Sequence, residues 1–246
     1  MMQLIKDSRF QVVIDKDASS PNAQGAIWKG QHRCVAEKFL PDDKTPSSEK
    51  CGEAIIKYQL AGDRGHYSVL RSAFVKFHCL GFPHSVVSQI TRHQDSAFLV
   101  QSMRYTGQRI VDCAEGDIPI EDVFYFRPVG SYFDRKGKKY EYTEERREKQ
   151  KRSRLLAAKE YANEMSLGYS EEHSRDDLPY GFRQDFDLSG DLQAIWHLLD
   201  QRTKADSQIE VRTLAWMILL DCLKEFTPEL TQWYLENRAG KARLAP

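Results

Sequence analysis

Gln89, Arg92, His93, Gln94, Gln101, Ser102 and Arg104 fall close together, with Thr91-Arg92-His93-Gln94-Asp95-Ser96-Ala97-Phe98-Leu99-Val100-Gln101-Ser102-Met103-Arg104-Tyr105 as the densest run. Two guanidiniums bracket an imidazole and a hydroxyl, a donor set suited to an anion and the edge of a heterocycle. A basic, polar run at a helix end also describes a solvated C-terminus whose cations complement the helix dipole. Spacing alone supports an anion site and nothing finer.

The elements around the run follow from local chemistry. Pro83 suits the first turn of a helix, on which Val86, Val87 and Ile90 form an apolar arc, Gln89 and Arg92 lie on the neighbouring arc, and His93 sits at the border. Phe98 to Met103 reads as a strand. Earlier, Phe10 to Ile14 is a β-branched strand, and Asn22 to His32 a short helix. Leu40 to Ser48 reads as a loop. Ser47 or Ser48 can cap a helix reaching Ala61, with Cys51, Ala54, Ile55, Tyr58 and Ala61 inward. Gly62 to Ser68 is a glycine-punctuated turn, and Ser72 to His78 alternates as a strand.

Val123 to Phe126 reads as another strand, with a hairpin-like connection over Gly130 to Lys138. Thr143 to Leu167 is one long helix whose charge run offers Glu145–Lys149 and Glu148–Arg152 at i,i+4, a solvated face. Glu171 to Asp177 is a short helix stopped by Leu178-Pro179. Helices follow over Asp191 to Gln201, with Leu192, Ile195, Leu198 and Leu199 inward, and over Ala205 to Glu225. Thr227 to Trp233 starts a last helix at Pro228.

Bulk properties narrow the partners. The 246 residues can bury a sizeable core, and one domain over 1–246 is the economical expectation. With 36 basic and 36 acidic residues, no global field recruits nucleic acid or membrane, so an anion site must be local. Five scattered cysteines form no C-x-x-C pair, and His78, Cys79 and His84 fit no common metal spacing. No metal is therefore expected, and His78 reads as a core histidine. Without an apolar signal-like segment or a span of about 20 apolar residues, the expected setting is cytoplasmic, with reduced thiols.

Four elements together resemble the flavin-dependent thymidylate synthases. Gly65-His66-x-Ser68 matches the family's Gly-His-x-Ser. Arg92, His93, Ser102, Arg104 and Tyr105 match its Arg-His-Arg, Ser and Arg-Tyr signature. Ser174-Arg175-Asp176-Asp177-Leu178-Pro179 keeps the Arg, Leu and Pro of a third element, and Arg202 with Gln208-x-Glu210 matches a fourth. The sequence departs from the signature where Gln94 replaces the second Arg, Ala97 a Ser, and Leu99-Val100 an Asn-Glu pair.

The resemblance implies an α+β fold with a mainly antiparallel sheet. It implies conversion of dUMP to dTMP, with 5,10-methylenetetrahydrofolate as carbon donor, reduced FAD as hydride donor and NADPH reloading the flavin. Arg202 would be the catalytic residue. Gln89, Arg92, Gln101, Ser102, Arg104, Arg175 and Arg202 would bind dUMP. His66, Ser68, Arg92, His93, Gln94, Val100, Asp191, Gln193 and His197 would bind FAD, between the subunits of a homotetramer.

Two other readings stay open. Gln94 and Val100 would suit a nucleotide- and flavin-binding homologue with impaired catalysis. The Glu144 to Arg154 charge run would suit an RNA-binding helix, although no aromatics interleave with it.

Overall fold

The structure, a computed structural model, describes residues 3–37, 44–62, 65–134 and 136–241. In chain order its elements are β1 (Gln11–Ile14), α1 (Ala23–Val35), α2 (Ser48–Ile55), β2 (Phe74–Pro83), α3 (His84–Ile90), β3 (Ala97–Val100), α4 (Gln108–Glu115) and α5 (Ile120–Val123). They continue as β4 (Gly130–Phe133), β5 (Lys139–Tyr142), α6 (Glu144–Ser166), α7 (Glu171–Ser174), β6 (Arg183–Asp191), α8 (Leu192–Arg202), α9 (Ile209–Met217), α10 (Lys224–Phe226) and α11 (Pro228–Asn237). This is the α+β architecture the resemblance implied.

The main sheet is antiparallel throughout, in the order β1-β2-β6-β3. Strand alternation sends Val75, Phe77 and Cys79 of β2, and Phe186 and Leu188 of β6, into the core. Lys76, His78 and Asp187 take the other face. There His78 Nδ1 meets Asp187 Oδ1 at 2.7 Å, and Lys76 Nζ bridges Asp15 and Asp187 at 3.3 and 2.9 Å. His78 is thus a paired, half-exposed residue and not a core histidine.

A bulge between Cys79 and Phe82 turns β2 toward α3. It needs glycine, because Gly81 has φ +73° and a Cβ there would lie 2.3 Å from the Arg9 carbonyl oxygen. Helices α8 and α9 cover the buried face. Leu192, Ile195, Trp196, Leu198 and Leu199 of α8 all sit in the core, each such side chain contributing about 1.5–3 kcal/mol by burial. A smaller cluster joins α4, α5 and α6 through Ile110, Cys113, Phe124, Ala158 and Tyr161.

The helix ends follow their caps. Ser47, Thr143 and Asp191 side chains each accept from a backbone N–H one turn on. Several expectations are corrected. The helix from Ser48 closes in a wide turn, with Ala61 N bonding Ile56 O at 2.8 Å, so Leu60 is buried and Tyr58 is half exposed. Val123 to Phe126 is no strand: Val123 ends α5, and Phe124 makes one isolated bridge to Phe182. β3 stops at Val100 rather than Met103, and the helix expected from Ala205 begins at Ile209. The charges of α6 pair differently too. Arg147 and Lys151 reach Glu121 at 3.8 and 2.8 Å, tying the helix to α5.

β6 was missing from the expectation altogether. The loop expected over Leu40 to Ser48 lies partly outside the described residues, as do Asp63 and Arg64 of the glycine-rich turn. Among the described residues, no helix is long and apolar enough to cross a membrane.

Candidate active site

α8 carries Arg202 on its last turn. Asp191 Oδ1 caps the helix start by accepting from Ala194 N at 2.8 Å, and the buried apolar face fixes the helix rotation. The Arg202 side chain is thereby brought to the end of α3. Its Nε donates to His93 Nε2 at 2.9 Å, and its Nη2 donates to the Gln89 carbonyl at 3.1 Å. His93 is buried, and its backbone N–H bonds Ile90 O at 3.0 Å. Burial, then Arg202 and His197, lower its pKa to about 4, so the ring is neutral with Nε2 as acceptor. Burial and Arg92 lower the Arg202 pKa, yet a guanidinium keeps its charge.

A cavity of about 260 Å³ opens beside this pair, lined by Arg92, His93, Gln94, His197, Gln201 and Arg202 among others. His93 and His197 meet edge to face, with centroids 6.1 Å apart, and His197 Nε2 lies 2.7 Å from Gln201 Nε2. The Gln89 side chain points the other way and bonds Gln208, whose Nε2 reaches Glu210 Oε2 at 2.8 Å. Glu210 is fully buried, held by Arg127 Nε at 2.9 Å and Tyr125 OH at 3.1 Å.

A second group lies at the far end of β3. Gln101 N bonds Asp185 O at 3.0 Å, and Ser102 Oγ accepts from Arg104 N at 3.3 Å. Arg104 Nε pairs with Glu172 Oε1 at 2.8 Å, joining this loop to α7, and Arg175 stands exposed in the turn that follows α7. Among the described residues, no hydrogen bond or ion pair joins Arg104 or Arg175 to Arg202 or His93.

A third group lies at the start of α8. His66 and Ser68 are exposed on a 3₁₀ turn that Arg71 ties to the helix, its Nε donating to Gln193 Oε1 at 2.9 Å. Val100 is half-buried against the main core. One chain therefore brings together Arg92, His93, Gln94, His197 and Arg202, with the Gln89 backbone carbonyl beside them and its side chain turned away, and leaves the Arg104 group apart.

Sequence reading missed the support beneath Arg202. Asp200 is buried two residues earlier, and both its oxygens accept from Arg238 of the C-terminal segment. Arg238 Nη1 also donates to Tyr67 OH at 2.6 Å, between His66 and Ser68. Nothing in the spacing of these residues marks the network in advance.

Comparison with known proteins identifies the family. Residues 15–229 match the family described as thymidylate synthase complementing protein. The chain is 31% identical over 206 residues to the flavin-dependent thymidylate synthase of Haloarcula marismortui, covering 81% of this chain and 82% of that one. It is 32% identical over 189 residues to the Halobacterium salinarum enzyme, covering 74% and 76%. The fold resembles Helicobacter pylori thymidylate synthase X, solved with FAD and dUMP, at TM-score 0.65 and 15% identity over 89% of this chain and 99% of that one. It also resembles a Streptomyces cacaoi UMP/dUMP methylase bound with 5-Br dUMP, at TM-score 0.69 and 17% identity over 100% of both chains. The chain belongs to the flavin-dependent thymidylate synthases, a family of methyltransferases.

Proposed function

We propose that this chain converts dUMP and methylenetetrahydrofolate to dTMP and tetrahydrofolate, NADPH being oxidised to NADP⁺. The observation that carries the reading is the commitment of Arg202 on one edge only. Nε and Nη2 are anchored on His93 and Gln89, while Nη1 makes no hydrogen bond among the described residues. The free edge of the guanidinium is left for a partner in the adjoining cavity. Methylation needs C5 of the uracil ring to become nucleophilic, which builds negative charge on O2 and N3. A fixed guanidinium against that edge stabilises the charge as it forms.

Arg104, Arg175 and Ser102 supply charged and neutral donors for the nucleotide phosphate. Gln89, Gln101 and Arg92 complete the nucleotide's surroundings. The Arg104 group stands apart from Arg202 within one chain, so a shared site needs a second copy. A homotetramer meets that need.

The donor set fits FAD. His66, Ser68, Arg92 and Gln94 are exposed, His93 and His197 line the cavity beside Arg202, Asp191 and Gln193 stand at the start of α8, and Val100 is the last residue of β3. A cavity of about 260 Å³ is below the usual size of a cofactor pocket, so one chain would supply one wall of the site. Bound reduced FAD would supply the hydride that completes the methyl group. Gln94 offers an amide without charge, and the Val100 side chain offers no acceptor. The Helicobacter pylori structure, solved with both FAD and dUMP, is of the same fold.

The test is an absorbance spectrum with added FAD, followed by dTMP formation from dUMP, methylenetetrahydrofolate and NADPH. Flavin bands with dTMP establish the activity, and Arg202→Ala should then lower kcat by roughly 10²–10³, as removal of one such donor does. Flavin without dTMP would favour the impaired homologue that Gln94 and Val100 allow.

A further inference from the structure

We propose that a second and larger cavity, away from Arg202, binds an anionic heteroaromatic ligand. It measures about 600 Å³, within the range of small-molecule sites, and lies between β5, α6 and the start of α9. One wall is a stripe on α6. Arg146, Gln150 and Arg154 recur every four residues, so they share one helix face, and all three line the cavity. This face divides the charge run of α6 in two. Arg147 and Lys151, one residue on, pair with Glu121 at 3.8 and 2.8 Å. Arg146 and Arg154 have no carboxylate within ion-pair distance among the described residues.

Arg154 is held in place. It donates to the Tyr125 carbonyl, stacks its guanidinium 4.4 Å over Phe126, and rests on Gly181, where a Cβ would lie 3.0 Å from Nη2. Burial lowers its pKa, and Arg183 nearby adds repulsion. A half-buried cation facing open space without a counter-ion is an anion site in waiting. The carboxylates in the lining are already engaged. Glu210 is paired with Arg127, and Glu141 with Lys139 at 3.1 Å and Ser131 at 2.6 Å.

Four tyrosines, Tyr125, Tyr140, Tyr142 and Tyr180, make the lining aromatic in part. Tyr180 is mostly exposed and stands edge-on to His84 at 5.0 Å. Tyr142 is buried, with its OH on Gln150 Oε1 at 2.6 Å, which leaves the Gln150 amide N–H groups as donors. Tyrosine faces for a planar ring, an amide for its edge and two unpaired guanidiniums for its negative charge define the ligand. Two sources carry that chemistry: a nucleotide through its phosphates, and a folate through its glutamate carboxylates.

The test is calorimetric titration of the protein, saturated with FAD and dUMP, with dTTP and separately with folic acid. Saturating dUMP keeps the nucleotide probe off the proposed Arg202 site, and the variants below separate this cavity from the proposed co-substrate site. At least one probe should bind in a manner that depends on Arg146 and Tyr180, and the one that does identifies the source. Arg146→Ala and Tyr180→Ala, both at exposed positions, should each weaken it tenfold or more. Arg146→Lys should recover part of the loss, and Arg202→Ala should leave binding unchanged. Failure of both probes to bind, or binding that survives Arg146→Ala and Tyr180→Ala but falls with Arg202→Ala, would overturn the proposal.

Discussion

Arg202 Nε and His93 Nε2 are 2.9 Å apart, although the two residues are separated by 109 positions in sequence. The bond locks the last turn of α8 to the loop after α3 and fixes the imidazole tautomer, because Nε2 must accept. A hydrogen bond to a charged group is worth about 1.5–3 kcal/mol. His93→Ala should therefore loosen Arg202 and lower kcat/KM for dUMP by roughly 10–100-fold. Steady-state kinetics of the FAD-loaded enzyme measure it, and an unchanged kcat/KM would remove His93 from the positioning of Arg202.

The same histidine gives a pH signature. Its folded pKa of about 4 lies below the ordinary value of 6.5. Above pH 6.5 His93 is neutral in both states and costs nothing. As pH falls toward 4, the unfolded chain takes up a proton that the folded chain refuses, so stability declines, by up to about 3 kcal/mol once pH is below 4. Urea melts between pH 7 and 4 should show a shallower decline for His93→Gln than for the wild type. Equal slopes would place the acid sensitivity elsewhere.

Asp200 and Arg238 form a buried pair shared with Tyr234 and Tyr67. Removing one partner leaves a buried charge alone, a cost of about 3–5 kcal/mol. Arg238→Met should lower Tm by roughly 6–20 °C, at about 2–4 °C per kcal/mol for a chain of this size. Replacing both, as Asp200→Leu with Arg238→Met, should recover much of that loss. A thermal melt of the two variants distinguishes a lone-charge penalty from simple loss of packing.

The helices were legible because their signals are local. Ser47, Thr143 and Asp191 announce their ends, and the apolar arcs of α3 and α8 repeat at helical spacing. β6 was not legible, although it is central to the sheet. Its outward positions carry Asp185, Asp187 and Ser189, so Phe186 and Leu188 look isolated in a polar stretch. Val123 to Phe126 misled in the opposite sense: an apolar run marks burial, not pairing, and its backbone meets Phe182 in one isolated bridge and Gly181 in one hydrogen bond without forming a ladder. The candidate site residues came from resemblance. Their pairing did not, because His93 with Arg202 and Asp200 with Arg238 depend on how distant segments pack.

Gly107 is required by space rather than by backbone geometry. Its φ is −72°, yet a Cβ would lie 1.9 Å from the Tyr161 hydroxyl. Tyr161 is fully buried between α4 and α6, and its hydroxyl has no hydrogen-bond partner among the described residues. Gly107→Ala should cost about 1–3 kcal/mol by overpacking. Tyr161→Phe in the same chain should return part of it, since the clashing atom is gone. Chemical denaturation of the single and double variants gives the coupling, and additive effects would exclude the clash.

The separation of Arg104 from Arg202 makes the last prediction. Arg104 pairs with Glu172 at one end of β3, and Arg202 with His93 beyond the other. If both act on one nucleotide, they come from different copies of the chain. Arg104→Ala and Arg202→Ala should each be inactive alone. Mixed after mild dissociation and reassociation, they should regain activity, because some sites then draw Arg104 and Arg202 from undamaged surfaces. A site built within one chain gives no such recovery, since every chain in the mixture carries a defect. The mixing assay for dTMP therefore separates a shared site from a single-chain one, whatever the overall oligomer turns out to be.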